Sequence, residues 1–102
     1  PVMSDEMIKG NYEENTGKQI IEYFNKKNLN YNEIEMVLVG NHGPFCWGKS
    51  ASQSVFNSTV LEEIAKMAFL TEQINPNAEK LKKTLIEKHY YRKHGKNKYY
   101  GQ

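Results

Sequence analysis

Apolar residues recur at four-residue spacing over residues 11–27, where Tyr12, Thr16, Ile20 and Phe24 line up with Ile21 and Tyr23 beside them. That period gives a helix one apolar face, and it predicts a helix here in spite of Gly17. The polar run at residues 1–10 reads as a loop leading into it, and residues 28–32 read as the polar loop that ends it. Residues 36–39, Met-Val-Leu-Val, form an unbroken apolar run bounded by Gly40 and Asn41, which predicts a short buried strand. Residues 45–47 predict its continuation after a turn at residues 41–44, where Gly43 supplies backbone freedom and Pro44 fixes the exit.

Ser50-Ala51-Ser52-Gln53 fits a capping box, with Ser50 as the cap and Gln53 reaching back. It opens the clearest helix of the chain, which runs to about Gln73. Phe56, Val60, Ile64, Met67 and Thr71 trace its apolar stripe, with Leu61, Ala65 and Ala68 beside them. Asn75-Pro76 reads as a second cap followed by a first-turn proline. In the helix it opens, Leu81, Leu85 and His89 mark one edge and Ile86 and Tyr90 the next, until Gly95 stops it. Residues 96–102 are a polar and aromatic tail. Three or four helices against one or two strands is an α/β inventory that lacks strands, because two strands alone do not make an independently stable sheet. The remaining strands are expected in missing chain or in a neighbour.

Composition narrows the class. With 102 residues the chain fits one domain at most, 25% of its residues are charged, and its apolar runs are far too short to span a membrane. No signal peptide is visible, and the single cysteine, Cys46, cannot form an internal disulfide, so a cytoplasmic location is the default expectation. The start at Pro1-Val2, without an initiator methionine, leads us to expect a processed product or a piece of something longer. The net charge of +2 is unevenly placed: residues 88–102 carry +5 and no acid, which leaves −3 for the rest. A basic end with interleaved aromatics suits phosphate, on a nucleic acid or on a small metabolite.

Five groups of residues could carry chemistry. His42, in a turn at the end of a buried strand, has the setting of a metal-binding imidazole, or of a histidine that satisfies turn carbonyls. No HxH or HExxH pattern supplies it with partners. Cys46 lies between Phe45 and Trp47 in an apolar strand, where a thiol is buried and unactivated rather than nucleophilic. His89, Arg92 and Lys93 share a helix face at spacings of three and four, able to hold an anion or simply to be solvated. Tyr99-Tyr100 follows; a phenol close to cations can give or take a proton, or can dock a tail by its ring. Glu13 and Glu14 open the first predicted helix, where acids favour the positive end of its dipole.

Taken together, GNYEENTG, VLVGNHGPFCWGKSA, VLEEIAKMA and KHYYRKHGKNKYYGQ resemble the C-terminal portion of the L-ribulose-5-phosphate 4-epimerases, within the class II aldolase and epimerase superfamily. The resemblance covers residues 1–102, and the ending HYYRKHGKNKYYGQ is similar to the epimerase branch rather than the fuculose-phosphate aldolase branch. It implies a three-layer α/β/α fold around a mainly antiparallel central sheet, of which only the C-terminal part is present. It also implies a divalent metal, zinc or another such as manganese, held by three histidines, and a homotetramer whose sites are shared between subunits. By position, His42 matches the last metal-binding histidine and Tyr100 the catalytic acid/base tyrosine given by the neighbouring subunit. His89 and Arg92 match substrate-binding residues, and Glu13 matches an acid near the site.

The chain departs from the pattern in three ways. Gly40-Asn41-His42 stands where many epimerases have His-Ser-His, although the superfamily's aldolases also use Asn-His-Gly. Cys46 stands where alanine is common, which agrees with inert packing. The phosphate-binding loop, the HxH ligands and the second catalytic acid of the family have no counterpart here. The implied activity is interconversion of the sugar phosphates L-ribulose 5-phosphate and D-xylulose 5-phosphate, a step that serves arabinose or ascorbate use, with this chain inactive by itself. The rival expectations are a class II sugar-phosphate aldolase and a small nucleic-acid-binding module using residues 88–98.

Overall fold

The computed structural model describes residues 2–100. Six elements follow in the order α1 (Asp5–Lys9), α2 (Tyr12–Lys27), β1 (Met36–Val39), β2 (Gly43–Cys46), α3 (Ala51–Ile74) and α4 (Lys83–His94). The class is α/β, with helices beside a small antiparallel two-stranded sheet. The chain divides into two compact units, Pro1–Ala68 and Phe69–Gln102.

In the first unit, the loop expected over residues 1–10 is interrupted by α1. Ser4 caps it by accepting a hydrogen bond from the Met7 N–H at 3.4 Å, and Asp5 and Glu6 sit where the dipole favours acids. Met3, just before the cap, is buried against Thr16 of α2, whose hydroxyl donates to the Tyr12 carbonyl at 2.8 Å and lies 3.4 Å from the Met3 sulfur. α2 follows the expected bounds to within a residue. It ends on Asn28 in the left-handed region (φ 51°, ψ 46°), which lets the Asn28 and Leu29 N–H groups fold back onto the carbonyls of the last turn.

β1 matches its expected span, but β2 starts two residues earlier than the sequence suggests. Pairs run Met36 to Cys46, Val37 to Phe45, Leu38 to Pro44 and Val39 to Gly43, so the turn narrows to residues 40–42. Trp47 closes the hairpin's base: its N–H donates to the Glu35 carbonyl at 3.0 Å, its indole N–H to the Tyr31 carbonyl at 2.9 Å, and its ring meets Phe24 at 5.5 Å. The core of this unit is Met3, Phe24, Val39 and Leu61.

α3 starts where the capping box places it, with the Gln53 N–H donating to Ser50 Oγ at 3.1 Å. The Gln53 side chain does not reach back; its amide donates along the helix to Asn57 Oδ1 at 2.9 Å. That contact belongs to a larger difference. The expected stripe at Phe56, Ile64 and Met67 is exposed, at 62%, 46% and 58%, and the buried positions are Asn57 and Leu61. On the buried side, the Asn57 amide donates to the Trp47 carbonyl at 2.7 Å and to Glu35 Oε2 at 2.9 Å. Those partly shielded bonds hold this face of the helix against the base of the hairpin.

In the second unit, Asn75-Pro76 makes a turn rather than a helix start. Asn75 Oδ1 accepts from the Asn77 N–H at 3.1 Å and its carbonyl from the Ala78 N–H at 3.0 Å, an Asx turn that uses up the would-be cap. α4 therefore begins seven residues after Pro76, at Lys83, and ends at Gly95 as expected. A Cβ on Gly95 would stand 2.5 Å from the Tyr91 carbonyl oxygen, so only glycine lets the chain leave the helix so closely. The tail folds back at once, with the Tyr99 and Tyr100 N–H groups donating to the Arg92 carbonyl at 3.0 and 3.1 Å.

Candidate functional site

Of the five residues that the resemblance matches, Glu13 and His42 lie in the first unit and His89, Arg92 and Tyr100 in the second, and each unit is described by itself. His42 lies on the turn between β1 and β2. Its N–H donates to the Val39 carbonyl at 3.1 Å, and Asn41 takes φ 59° at the third position, where such a turn admits glycine or asparagine. Gly43 follows at φ 145°, a backbone state that side chains rarely adopt, although the space around it is empty.

The His42 side chain is exposed, but its ring is not loose. It stacks on Tyr12 of α2 at 5.7 Å and 22°, and it meets Phe45 of β2 at 5.0 Å and 42°. Two elements thus share in fixing one imidazole. Glu13, next along α2, is exposed and opens the helix as expected. Its neighbour Glu14 is engaged, because the Lys18 ammonium at 2.6 Å and then the Asn11 amide at 3.1 Å hold its carboxyl below the usual range. Cys46 is half-buried in β2, and its carbonyl accepts from Ser54 Oγ at 3.1 Å, which agrees with a packing role.

Among the described residues, no three His, Cys, Asp or Glu side chains gather into a group that could hold a metal ion. His42 has the chemistry of a metal donor, but one imidazole flanked by two aromatic rings is not a site. The residues present therefore do not by themselves fit a bound metal.

The second cluster is tighter. Arg92, on the last turn of α4, approaches His89 one turn back, with 3.0 Å between Nη2 and Nδ1. Arginine has no acceptor, so in this contact the guanidinium is the donor. The guanidinium carbon stands 4.3 Å from the centre of the Tyr100 ring, and Lys93 Nζ lies 5.6 Å from the same ring. His89, Arg92 and Tyr100 therefore converge, as their spacing on one helix and a returning tail permits. Chemically, the cluster offers a fixed cation, an imidazole and a phenol side by side.

Two residues of the architecture were not read as such in the sequence. Tyr12 was assigned to packing, but it stacks on His42. Asn57, set inside an apolar stretch, anchors the hairpin that carries His42. A polar residue interrupting an apolar stripe is the signal that could have found it.

A family model for the Class II Aldolase and Adducin N-terminal domain matches residues 4–69, more than half of the chain. The matched stretch contains Glu13 and His42, and the cluster at His89, Arg92 and Tyr100 follows it.

Proposed function

We propose a function from one premise: the chain belongs to the Class II Aldolase and Adducin N-terminal domain family. Within that family, the reading that fits best is an L-ribulose-5-phosphate 4-epimerase, of which residues 1–102 are the C-terminal portion of a single domain. The observation that supports it is the convergence of His89 and Tyr100 on Arg92.

C4 of L-ribulose 5-phosphate carries no acidic hydrogen, so inversion there by simple deprotonation is a poor route. Cleavage of the C3–C4 bond, rotation of the aldehyde and re-addition on its other face invert the centre instead. In that scheme the Tyr100 hydroxyl gives and takes the C4 hydroxyl proton on one face, with the Arg92 cation beside its ring. Arg92 and His89 bind and orient the sugar phosphate, and Glu13 is an acid near the site. Family members typically use divalent metals such as zinc, and His42 offers one imidazole toward one. The other donors, and the second acid, come from outside the described residues.

The site is then shared across a homotetramer, in the cytoplasm, and the 102 residues alone are inactive. No helix among the described residues is long and apolar enough to cross a membrane. The test is direct: the purified chain, supplied with zinc or manganese, is assayed for interconversion of the two pentulose phosphates, beside the assembled enzyme. Turnover by the chain alone would overturn the incompleteness of its site, and no epimerisation by the assembled enzyme would overturn the function. A class II sugar-phosphate aldolase is the second reading, favoured by Asn41-His42-Gly43. It predicts that free glycolaldehyde phosphate accumulates, whereas the epimerase retains it.

A further inference from the structure

The two edges of the hairpin formed by β1 and β2 are not alike. The Trp47 N–H donates to the Glu35 carbonyl at 3.0 Å, and bonding alternates along an antiparallel pair from there, so Val37 and Val39 turn their N–H and C=O groups to β2. Met36 and Leu38 turn theirs outward. Among the described residues nothing bonds to those outward groups. On the far edge the outward residues are Pro44 and Cys46, and both are blunted. Pro44 has no N–H, the Cys46 carbonyl accepts from Ser54 Oγ at 3.1 Å, and α3 flanks that edge with Ser54, Val55 and Ser58. The hairpin can therefore grow on one side only.

The open edge has the chemistry of a strand acceptor. Residues 36–39 carry no charge and no proline, the devices that ordinarily keep an edge from pairing, and Leu38 is 56% exposed. Beside it lies a cavity of about 280 Å³, lined by Gln19, Ile20 and Tyr23 of α2 and by Val37, Leu38 and Val39, with no residue of β2. The edge is also its own complement. Laid antiparallel about Val37, it pairs Met36 with Leu38 of a second copy and Leu38 with that copy's Met36, so each outward N–H meets an outward carbonyl and none is left over. Val37 then faces Val37 and Glu35 faces Val39, so no like charges come opposite one another. Two hairpins joined in this way make a four-stranded sheet, which supplies the strands that one hairpin lacks for independent stability. Both of its ends are the blunted edge of β2, which closes the assembly at two copies. We infer that the outer edge of β1 is a docking surface for a second copy of this chain, joined through Met36 and Leu38.

The experiment is sedimentation of the purified chain over a concentration series, with amide hydrogen exchange followed at each concentration. A monomer–dimer equilibrium is expected, in which exchange at the Met36 and Leu38 amides slows by about tenfold or more as the dimer fills, while exchange at the Cys46 amide does not. Val37→Lys and Val37→Glu each set like charges across the axis. Each variant alone should sediment as a monomer, and their mixture should recover a one-to-one dimer. A monomer at every concentration, assemblies larger than two copies, or dimers of either variant alone would each overturn the inference. So would protection that falls on Cys46 or on α4 instead, or exchange at Met36 and Leu38 that is already slow in the dilute monomer. The exchange pattern of the unaltered chain decides even where a Val37 variant fails to fold. Association rather than turnover is measured, so failure here and failure of the epimerase reading are separate results.

Discussion

The Arg92 guanidinium carbon stands 4.3 Å from the centre of the Tyr100 ring, and the Tyr100 N–H donates to the Arg92 carbonyl at 3.1 Å. One residue thus holds the other by side chain and by backbone, and neither hold involves the phenol oxygen. Tyr100→Phe keeps both and removes only the hydroxyl. On the proposed function, the assembled enzyme should lose about 100-fold or more in kcat, with the Arg92 side-chain resonances unmoved. Retained activity would remove Tyr100 from the proton transfers.

His42→Asn tests the other unit. In the assembled enzyme, bound metal and activity should fall together, as read by elemental analysis beside the epimerase assay. Full metal occupancy in that variant would exclude His42 as a ligand.

Asn57→Ala should destabilise the first unit by about 2–4 kcal/mol, since it strands the Trp47 carbonyl and the Glu35 carboxylate together. Denaturant unfolding followed by Trp47 fluorescence measures this. A loss below that of an ordinary surface substitution would mean that the amide does not anchor the hairpin.

Two glycines should respond with opposite signs to alanine. At Gly43 the space is open but φ is 145°, so Gly43→Ala costs about 1–3 kcal/mol of backbone strain. At Gly17, inside α2 with nothing within 4 Å, Gly17→Ala gains about 0.5–1 kcal/mol. Equal effects in the same unfolding experiment would contradict the assigned turn.

Glu14 should titrate below the ordinary carboxylate range, because Lys18 and then Asn11 favour its charged form. A depressed folded value means that its contribution is present above the unfolded pKa and is lost as pH falls through the folded one. The pair is more than half exposed, so the effect belongs to the titration rather than to global stability. Lys18→Ala should return the Glu14 carbon shift titration toward the usual range; no movement would show the ion pair to be inert.

What the sequence made legible was whatever rests on local chemistry. The α2 period, the Met36–Val39 run, the Ser50 cap and the Gly95 stop all lie where the chain places them. The misses share a physical origin in contacts that pattern does not encode. α1 follows from the Ser4 cap, the late start of α4 from an Asx turn at Asn75, and the burial of Asn57 on α3 from its long-range bond to Glu35. The site divides likewise: a helical spacing brings His89 to Arg92, whereas the stacking of Tyr12 on His42 needs the hairpin to come back against α2.

Asn57 also decides which of two answers α3 gives. The helix carries apolar residues on more than one face, and at this point a polar anchor marks the one that meets the hairpin. Asn57→Leu would relieve the helix of that choice while keeping it greasy, so the first unit would stay collapsed but lose its uniqueness. Its methyl resonances would broaden as two rotations of one helix interchanged, and the turn that presents His42 would be averaged with them.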